Sequence, residues 1–240
     1  MSQVTSEIPP LLREPRRFKA FVFDVDGTLY RAAPVRRAMV RRLLLGHLLN
    51  PLRGYRVIRG LSAFRRAQEA LRGSPSVDLA REQLERGAEA SGVPLDTLRE
   101  WVGHWMEEAP LELIAKAVWP GLMDFLRRAR DVKQGLGVVS DYPAKAKLEV
   151  LGMEPLFPVV VSAQDVGAFK PDPRGLEQAI EQLGVGPDAA LYIGDRRDVD
   201  AEAARRAGVA CVIVGGSKSV VEHDGFVEVP DFWELRSILF

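Results

Sequence analysis

A single cysteine stands among 240 residues, so no internal disulfide framework can be built. Cys211 lies within the apolar run Val209-Ala210-Cys211-Val212-Ile213-Val214 and reads as a small core hydrophobe rather than a nucleophile. Its isolation fits a reducing compartment, and a cytoplasmic location is the expectation. No apolar run approaches the ~20 residues needed to span a bilayer, which argues against stable membrane insertion. Residues 1–17 are polar, charged and proline-containing, without the apolar stretch of a signal peptide, and read as a partly ordered leader. Neither sign of charge prevails: Lys+Arg and Asp+Glu number 33 each, so nothing in the balance points to nucleic acid.

What the chain does have begins at Phe18. An apolar run through Phe21-Val22-Phe23, long enough for one buried strand, stops at Asp24-Val25-Asp26-Gly27-Thr28. Side chains two apart on a strand point the same way, so Asp24 and Asp26 can converge where the strand ends. Two converging carboxylates in a poorly hydrated cleft repel each other, and a hard divalent cation relieves that. The plain alternative is an Asp-Gly turn with an Asx-turn at Asp26. A calcium-binding EF-hand is excluded, because the twelfth position from Asp24 is Val35 rather than Glu.

Between Tyr30 and Val118 nothing reads as a strand. Helical spacing of Met39, Leu43, Leu44, Leu45, Leu48 and Leu49 predicts a helix over 34–50, closed by Asn50-Pro51. Further helices are expected over 61–72, 76–91, 94–108 and 111–117. Charge in this block is uneven: from Arg31 to Arg72 the only acid is Glu69, whereas acids dominate from Ser74 to Ile114. The two halves either pair as complementary surfaces or leave arginines for an anionic ligand, with Arg36, Arg37, Arg53, Arg56 and Arg59 as candidates. Arg41-Arg42-Leu43-Leu44-Leu45 also has the composition of a stretch that rests on an anionic membrane surface.

From Trp119 onward apolar strands alternate with helices: strands over 136–140, 158–162, 189–193 and 210–214, with 226–229 as a short edge strand and Asp231 capping a last helix. This is the pattern of a parallel sheet covered on both faces, a Rossmann-like α/β fold with an inserted all-helical block. Ligands of such sheets bind beyond the carboxyl ends of the strands. There stand Asp24 and Asp26, Ser140 and Asp141, Lys170 after a loop, and Asp195 with Asp198 and Asp200. Any one acid could simply cap the next helix; four such groups in this order are hard to explain that way.

These residues resemble the motifs of the haloacid dehalogenase superfamily, in its phosphatase branch. Asp24-Val25-Asp26-Gly27-Thr28 matches the first motif, Val138-Val139-Ser140-Asp141 the second, Lys170-Pro171 the third, and Gly194-Asp195 with Asp198 and Asp200 the fourth. The resemblance implies a core over 18–30 and 118–240, with a C1-type helical cap over 31–117. It implies Asp24 as nucleophile, Asp26 as general acid and base, and Ser140, Lys170, Thr28 and Asp141 around the phosphate. Mg2+ would be held by Asp24, the Asp26 carbonyl, Asp195 and Asp200, with Asp198 as the other acid of the fourth motif. The implied substrate is a small phosphorylated metabolite, resembling phosphoglycolate or a sugar or nucleotide phosphate. An acid at Asp26 favours phosphate esters over haloacids, since a halide needs no proton and an alkoxide does. The phosphonatase branch recruits a cap lysine, and no lysine occurs between Phe21 and Leu113. A sugar-phosphate mutase shares all four motifs and is the alternative enzyme; a non-catalytic binding or regulatory module on the same fold is the other. Monomer and homodimer are both compatible with the sequence.

Overall fold

The computed structural model describes residues 8–240, so the first seven positions of the expected leader lie outside the described residues. The rest of the leader forms short 3₁₀ turns at Pro10–Leu12 and Pro15–Arg17, and Leu12 is fully buried in the core. Strand β1 (Ala20–Phe23) follows and is buried at every position. It lies between two other parallel strands, which explains an apolar run with no polar alternation.

A helical insertion separates β1 from the rest of the sheet. It comprises α1 (Ala32–Gly46), α2 (Pro51–Leu71), α3 (Leu79–Ser91), α4 (Leu95–Val102) with a π-helical turn at Gly103–Glu108, and α5 (Leu111–Ile114). Asn50-Pro51, read from sequence as the close of a helix, instead opens the next one. The Asn50 side chain accepts from the Arg53 amide at 3.0 Å and Pro51 occupies the first turn, an N-terminal arrangement. α2 therefore starts well before Leu61. The insertion leaves and rejoins the core through one pair of antiparallel segments, bridged at Tyr30 and Val118, with the Arg31 amide donating to the Ala117 carbonyl at 2.8 Å.

The remaining elements alternate: α6 (Leu122–Asp131), β2 (Gly135–Ser140), α7 (Lys145–Val150), β3 (Val159–Ser162), α8 (Ala163–Val166), α9 (Arg174–Gln182), β4 (Ala190–Gly194), α10 (Glu202–Ala207), β5 (Ala210–Val214), β6 (Val221–His223), β7 (Phe226–Val229) and α11 (Phe232–Leu239). They form a seven-stranded sheet in the order β3-β2-β1-β4-β5-β7-β6, parallel except for β6. β7 is thus an inner strand, paired with both β5 and β6, and the edge belongs to β6. Three residues, Val221-Glu222-His223, are too few to show a strand period in the sequence. On one face of the sheet Phe21 and Phe23 pack with Phe125 of α6 and Phe232 of α11; on the other Val22, Val139 and Tyr192 meet Leu176 and Ile180 of α9. Asp231 caps α11, accepting from the Glu234 amide at 3.0 Å. Among the described residues no helix is long and apolar enough to cross a membrane.

Candidate active site

β1 and β4 are neighbours, so their C-terminal ends bring Asp24 and Asp195 to one place. Beyond β1 the chain turns through Gly27, at φ +112°, a conformation that side chains rarely adopt. Gly27 is also needed for space, because a Cβ there would fall 2.0 Å from Asp195 Oδ2. A second glycine, Gly194, has the same function on the other side: a Cβ would sit 2.4 Å from that of Asp200. The two glycines let three carboxylates crowd together. Asp24, Asp195 and Asp200 each place an oxygen within 4.8 Å of the others.

Lys170 answers that crowding. Its Nζ is buried and donates to Asp24 Oδ1, to Asp200 Oδ1 at 2.7 Å and to the Tyr192 hydroxyl at 3.2 Å. Burial disfavours its charged form, but the facing Asp200 and Asp24 carboxylates outweigh this and raise its pKa well above the usual lysine value. Burial, with Asp200 and Asp195 beside it, pushes the Asp24 carboxyl up despite Lys170. Asp195 is pushed up to about 7, first by burial and then by Asp200. The other Asp24 oxygen accepts from the Thr28 hydroxyl at 3.1 Å.

Asp200 also shapes the loop after β4, its Oδ2 accepting from the amides of Asp195 at 3.2 Å and Arg196 at 3.0 Å. Asp198, by contrast, is exposed and paired with Arg196 at 2.6 Å. Of the two acids left open by the sequence, it is Asp200 that lies in the cluster. Ser140 is buried at the end of β2, its Oγ accepting from the Tyr142 amide at 3.3 Å.

Two partners were not legible beforehand. Lys147, on α7, places its Nζ 2.5 Å from Asp26 Oδ2, and the Tyr30 hydroxyl donates to Asp26 Oδ1. Burial opposes ionisation of Asp26, yet Lys147 and Tyr30 outweigh it and hold the carboxyl below its ordinary range. The second is Arg72, just past the end of α2 and 2.9 Å from Asp141, whose carboxylate also accepts from Gln68 Nε2 and the Lys170 amide, both at 3.0 Å. Asp141 therefore ties the helical insertion to the loop carrying Lys170. Neither partner leaves a motif: Lys147 is 121 residues from Asp26 and lies in Ala144-Lys145-Ala146-Lys147, which looks like any solvated helix.

Between insertion and sheet lies a cavity of about 900 Å³ with Asp24, Asp26, Lys170, Asp195 and Asp200 on its floor. Met39, Leu43, Ile58, Leu61 and Trp105 line its upper part. Of the five arginines singled out from sequence, Arg36 alone lines this cavity; Arg65 and Arg66 join it from α2, and Arg72 from just beyond that helix.

A buried ammonium beside clustered carboxylates, at the strand ends of a parallel α/β sheet and beneath a helical insertion, defines a hydrolase site. The family model for haloacid dehalogenase-like hydrolases matches residues 18–208, and the chain belongs to that family. It is 30% identical over 234 residues to validoxylamine A 7'-phosphate phosphatase of Streptomyces hygroscopicus subsp. limoneus, covering 91% of this chain and 96% of that one. N-acetylmuramic acid 6-phosphate phosphatase of Pseudomonas aeruginosa is 32% identical over 204 residues, 82% of each chain. Among solved structures, the HAD hydrolase YfnB of Bacillus subtilis, bound to magnesium, superposes with a TM-score of 0.66 at 16% identity, covering 93% of this chain and 99% of that one. That likeness is one of fold.

Proposed function

We propose that this protein is a Mg2+-dependent phosphatase that hydrolyses a small phosphomonoester through an aspartyl-phosphate on Asp24. The observation that carries the reading is the position of Lys170, bonded at once to Asp24 and Asp200 on the floor of the cavity. A buried cation there balances a carboxylate and an arriving phosphate together. Relatives named as phosphatases of small phosphorylated compounds support the phosphate ester as substrate. The helical insertion over 31–117 is the cap, and residues 18–30 and 118–240 the catalytic core.

The donor set fits a hard divalent ion: three carboxylates within 4.8 Å, two of them pushed toward their protonated forms by burial and mutual repulsion. Asp24, Asp195, the Asp26 carbonyl and Asp200, directly or through water, would hold it. When bound, Mg2+ supplies charge neutralisation between the carboxylates and the phosphate.

The chemistry of the chain's own residues follows. An Asp24 carboxylate oxygen attacks phosphorus and the bond to the ester oxygen breaks. Asp26 gives its proton to the departing alkoxide, then takes one from the water that cleaves the acyl phosphate, restoring Asp24 and releasing phosphate. Lys147 and Tyr30 keep Asp26 ionised. An arriving phosphate places negative charge beside it, which raises its proton affinity and loads it as the acid. Thr28 and Lys170 fix the two Asp24 oxygens, and Ser140 completes the phosphate cradle. With its carboxylate engaged by Arg72 and Gln68, Asp141 meets phosphate through its backbone amide.

The test is release of inorganic phosphate from p-nitrophenyl phosphate and a metabolite panel, with and without Mg2+, by wild type and by Asp24→Asn. Turnover that needs both Mg2+ and Asp24 supports the reading. Absence of turnover on every ester sinks it, and conversion of a hexose phosphate without phosphate release gives the mutase instead.

A further inference from the structure

We infer that the outer face of the α1–α2 hairpin is a docking surface for an anionic lipid bilayer. The hairpin is fixed by one side only. Val35 and Leu43 of α1 and Val57 of α2 are buried inward. The opposite side carries Leu44, Leu45, Leu48, Leu49, Leu52 and Tyr55, each more than half exposed, with Leu49 as open to solvent as in an extended chain. Soluble surfaces carry single exposed leucines, rarely a cluster of this kind.

Charge names the occupant. Arg37, Arg41, Arg53, Arg56 and Arg59 are exposed on the same two helices, and none forms an ion pair among the described residues. From Arg31 to Gln68 there is no acidic residue at all. The one nearby pair, Arg42 with Glu112, lies on the side facing α5. A second copy of this face would bring like charges together, which disfavours self-association. A bilayer of anionic lipid offers what the face lacks: phosphates for the arginine heads and hydrocarbon for the leucines. Arg37 and Arg41 are interleaved with Val40 and Leu44 along α1, so their stems can lie along the apolar boundary while the heads reach phosphate. A lipid surface also requires no groove, and the apolar side chains here spread over two helices and the turn between them. Val40 and Ile58 belong both to this exposed face and to the cavity wall, so docking turns the cavity mouth toward the lipid.

The experiment is cosedimentation of the full chain with phosphatidylcholine vesicles, or with phosphatidylcholine–phosphatidylglycerol vesicles, at low and high salt. The expected result is binding to the anionic vesicles that falls with salt. It should weaken about fivefold per arginine removed in Arg37→Gln/Arg41→Gln. It should be lost in Leu44→Ser/Leu45→Ser/Leu48→Ser/Leu49→Ser, whose fold is checked by circular dichroism. Protein that stays in the supernatant with anionic vesicles at low salt overturns the inference. So does equal binding to neutral vesicles, or a leucine variant that sediments like wild type. A dimer in sedimentation velocity that the leucine variant abolishes, in protein that ignores vesicles, assigns the face to a second copy and overturns it as well.

Discussion

Lys170 and Arg41 are both cations on a chain of no net charge, and their surroundings have little in common. Lys170 is buried and its ammonium meets Asp24, Asp200 and Tyr192. Arg41 is exposed and has no ion-pair partner among the described residues. The contrast runs through the two regions they stand for. At the sheet rim Asp24, Asp26, Asp200 and Lys170 are each held by two or more other groups, so their positions are over-determined and removing one leaves charges stranded. On the outer face of the hairpin the side chains are exposed, so substitution there changes what the surface can bind and little else. Rim substitutions should therefore change chemistry and folding together, and insertion substitutions should change recognition alone.

The largest effect belongs to Asp24→Asn. On the proposed mechanism this removes the attacking carboxylate, so kcat for p-nitrophenyl phosphate should fall by more than about 10³-fold, read as phosphate release at saturating substrate. Asp26→Asn should follow, at about 10²–10⁴-fold on an alkyl phosphate. Its effect on p-nitrophenyl phosphate should be smaller, because nitrophenolate leaves without a proton. Equal losses on both esters would remove Asp26 from the acid role. Lys170→Met comes next, now read as stability. It strands Asp24 and Asp200 without their shared cation, and breaking a buried pair in this way costs about 3–5 kcal/mol. Urea unfolding in the absence of metal checks this, and a midpoint unchanged from wild type would show that the rim is less over-determined than its contacts imply.

The rim was legible in the sequence because its chemistry sits at strand ends. An apolar run stopping at Asp24-Val25-Asp26 is visible without knowing what lies beside it, and so are Ser140, Lys170 and Asp195. The parallel sheet followed from the same alternation. What escaped was pairing across the chain. Lys147 and Arg72 look like surface residues until the fold brings one to Asp26 and the other to Asp141. Asn50-Pro51 misled for a different reason: the same dipeptide punctuates the end of one helix and the start of the next, and only the bond to the Arg53 amide says which it serves. Which arginines face the cavity depends on how α1 and α2 are rotated, and periodicity over a stretch so rich in both arginine and leucine leaves that rotation open.

A smaller effect is expected from pH at the same rim. Asp195 is pushed up to about 7 from its ordinary 3.8, so the folded, metal-free protein holds a proton that the unfolded chain releases. A raised pKa of this kind contributes stability that is fully present below 3.8 and is lost as pH rises through about 7. Metal binding at Asp195, as proposed, would have the opposite sign, because a ligand must be the carboxylate. Mg2+ affinity measured by titration calorimetry should fall by about tenfold per pH unit below 7 and level off above it. Asp195→Asn should remove that slope along with most of the binding. A Mg2+ affinity that is flat between about pH 5 and pH 8 would place the ion elsewhere.

The smallest effect tests the insertion side of the comparison. Arg36 and Arg65 line the cavity from two different helices and form no ion pair among the described residues, so removing them strands no partner. Arg36→Gln/Arg65→Gln should leave unfolding and kcat near wild type. It should raise KM severalfold for a substrate with a second anionic group, and barely at all for p-nitrophenyl phosphate, whose ring offers the arginines nothing to hold. Equal rises on both substrates would mean that these arginines act on the shared phosphate, which would move part of the phosphate cradle from the sheet rim into the helical insertion.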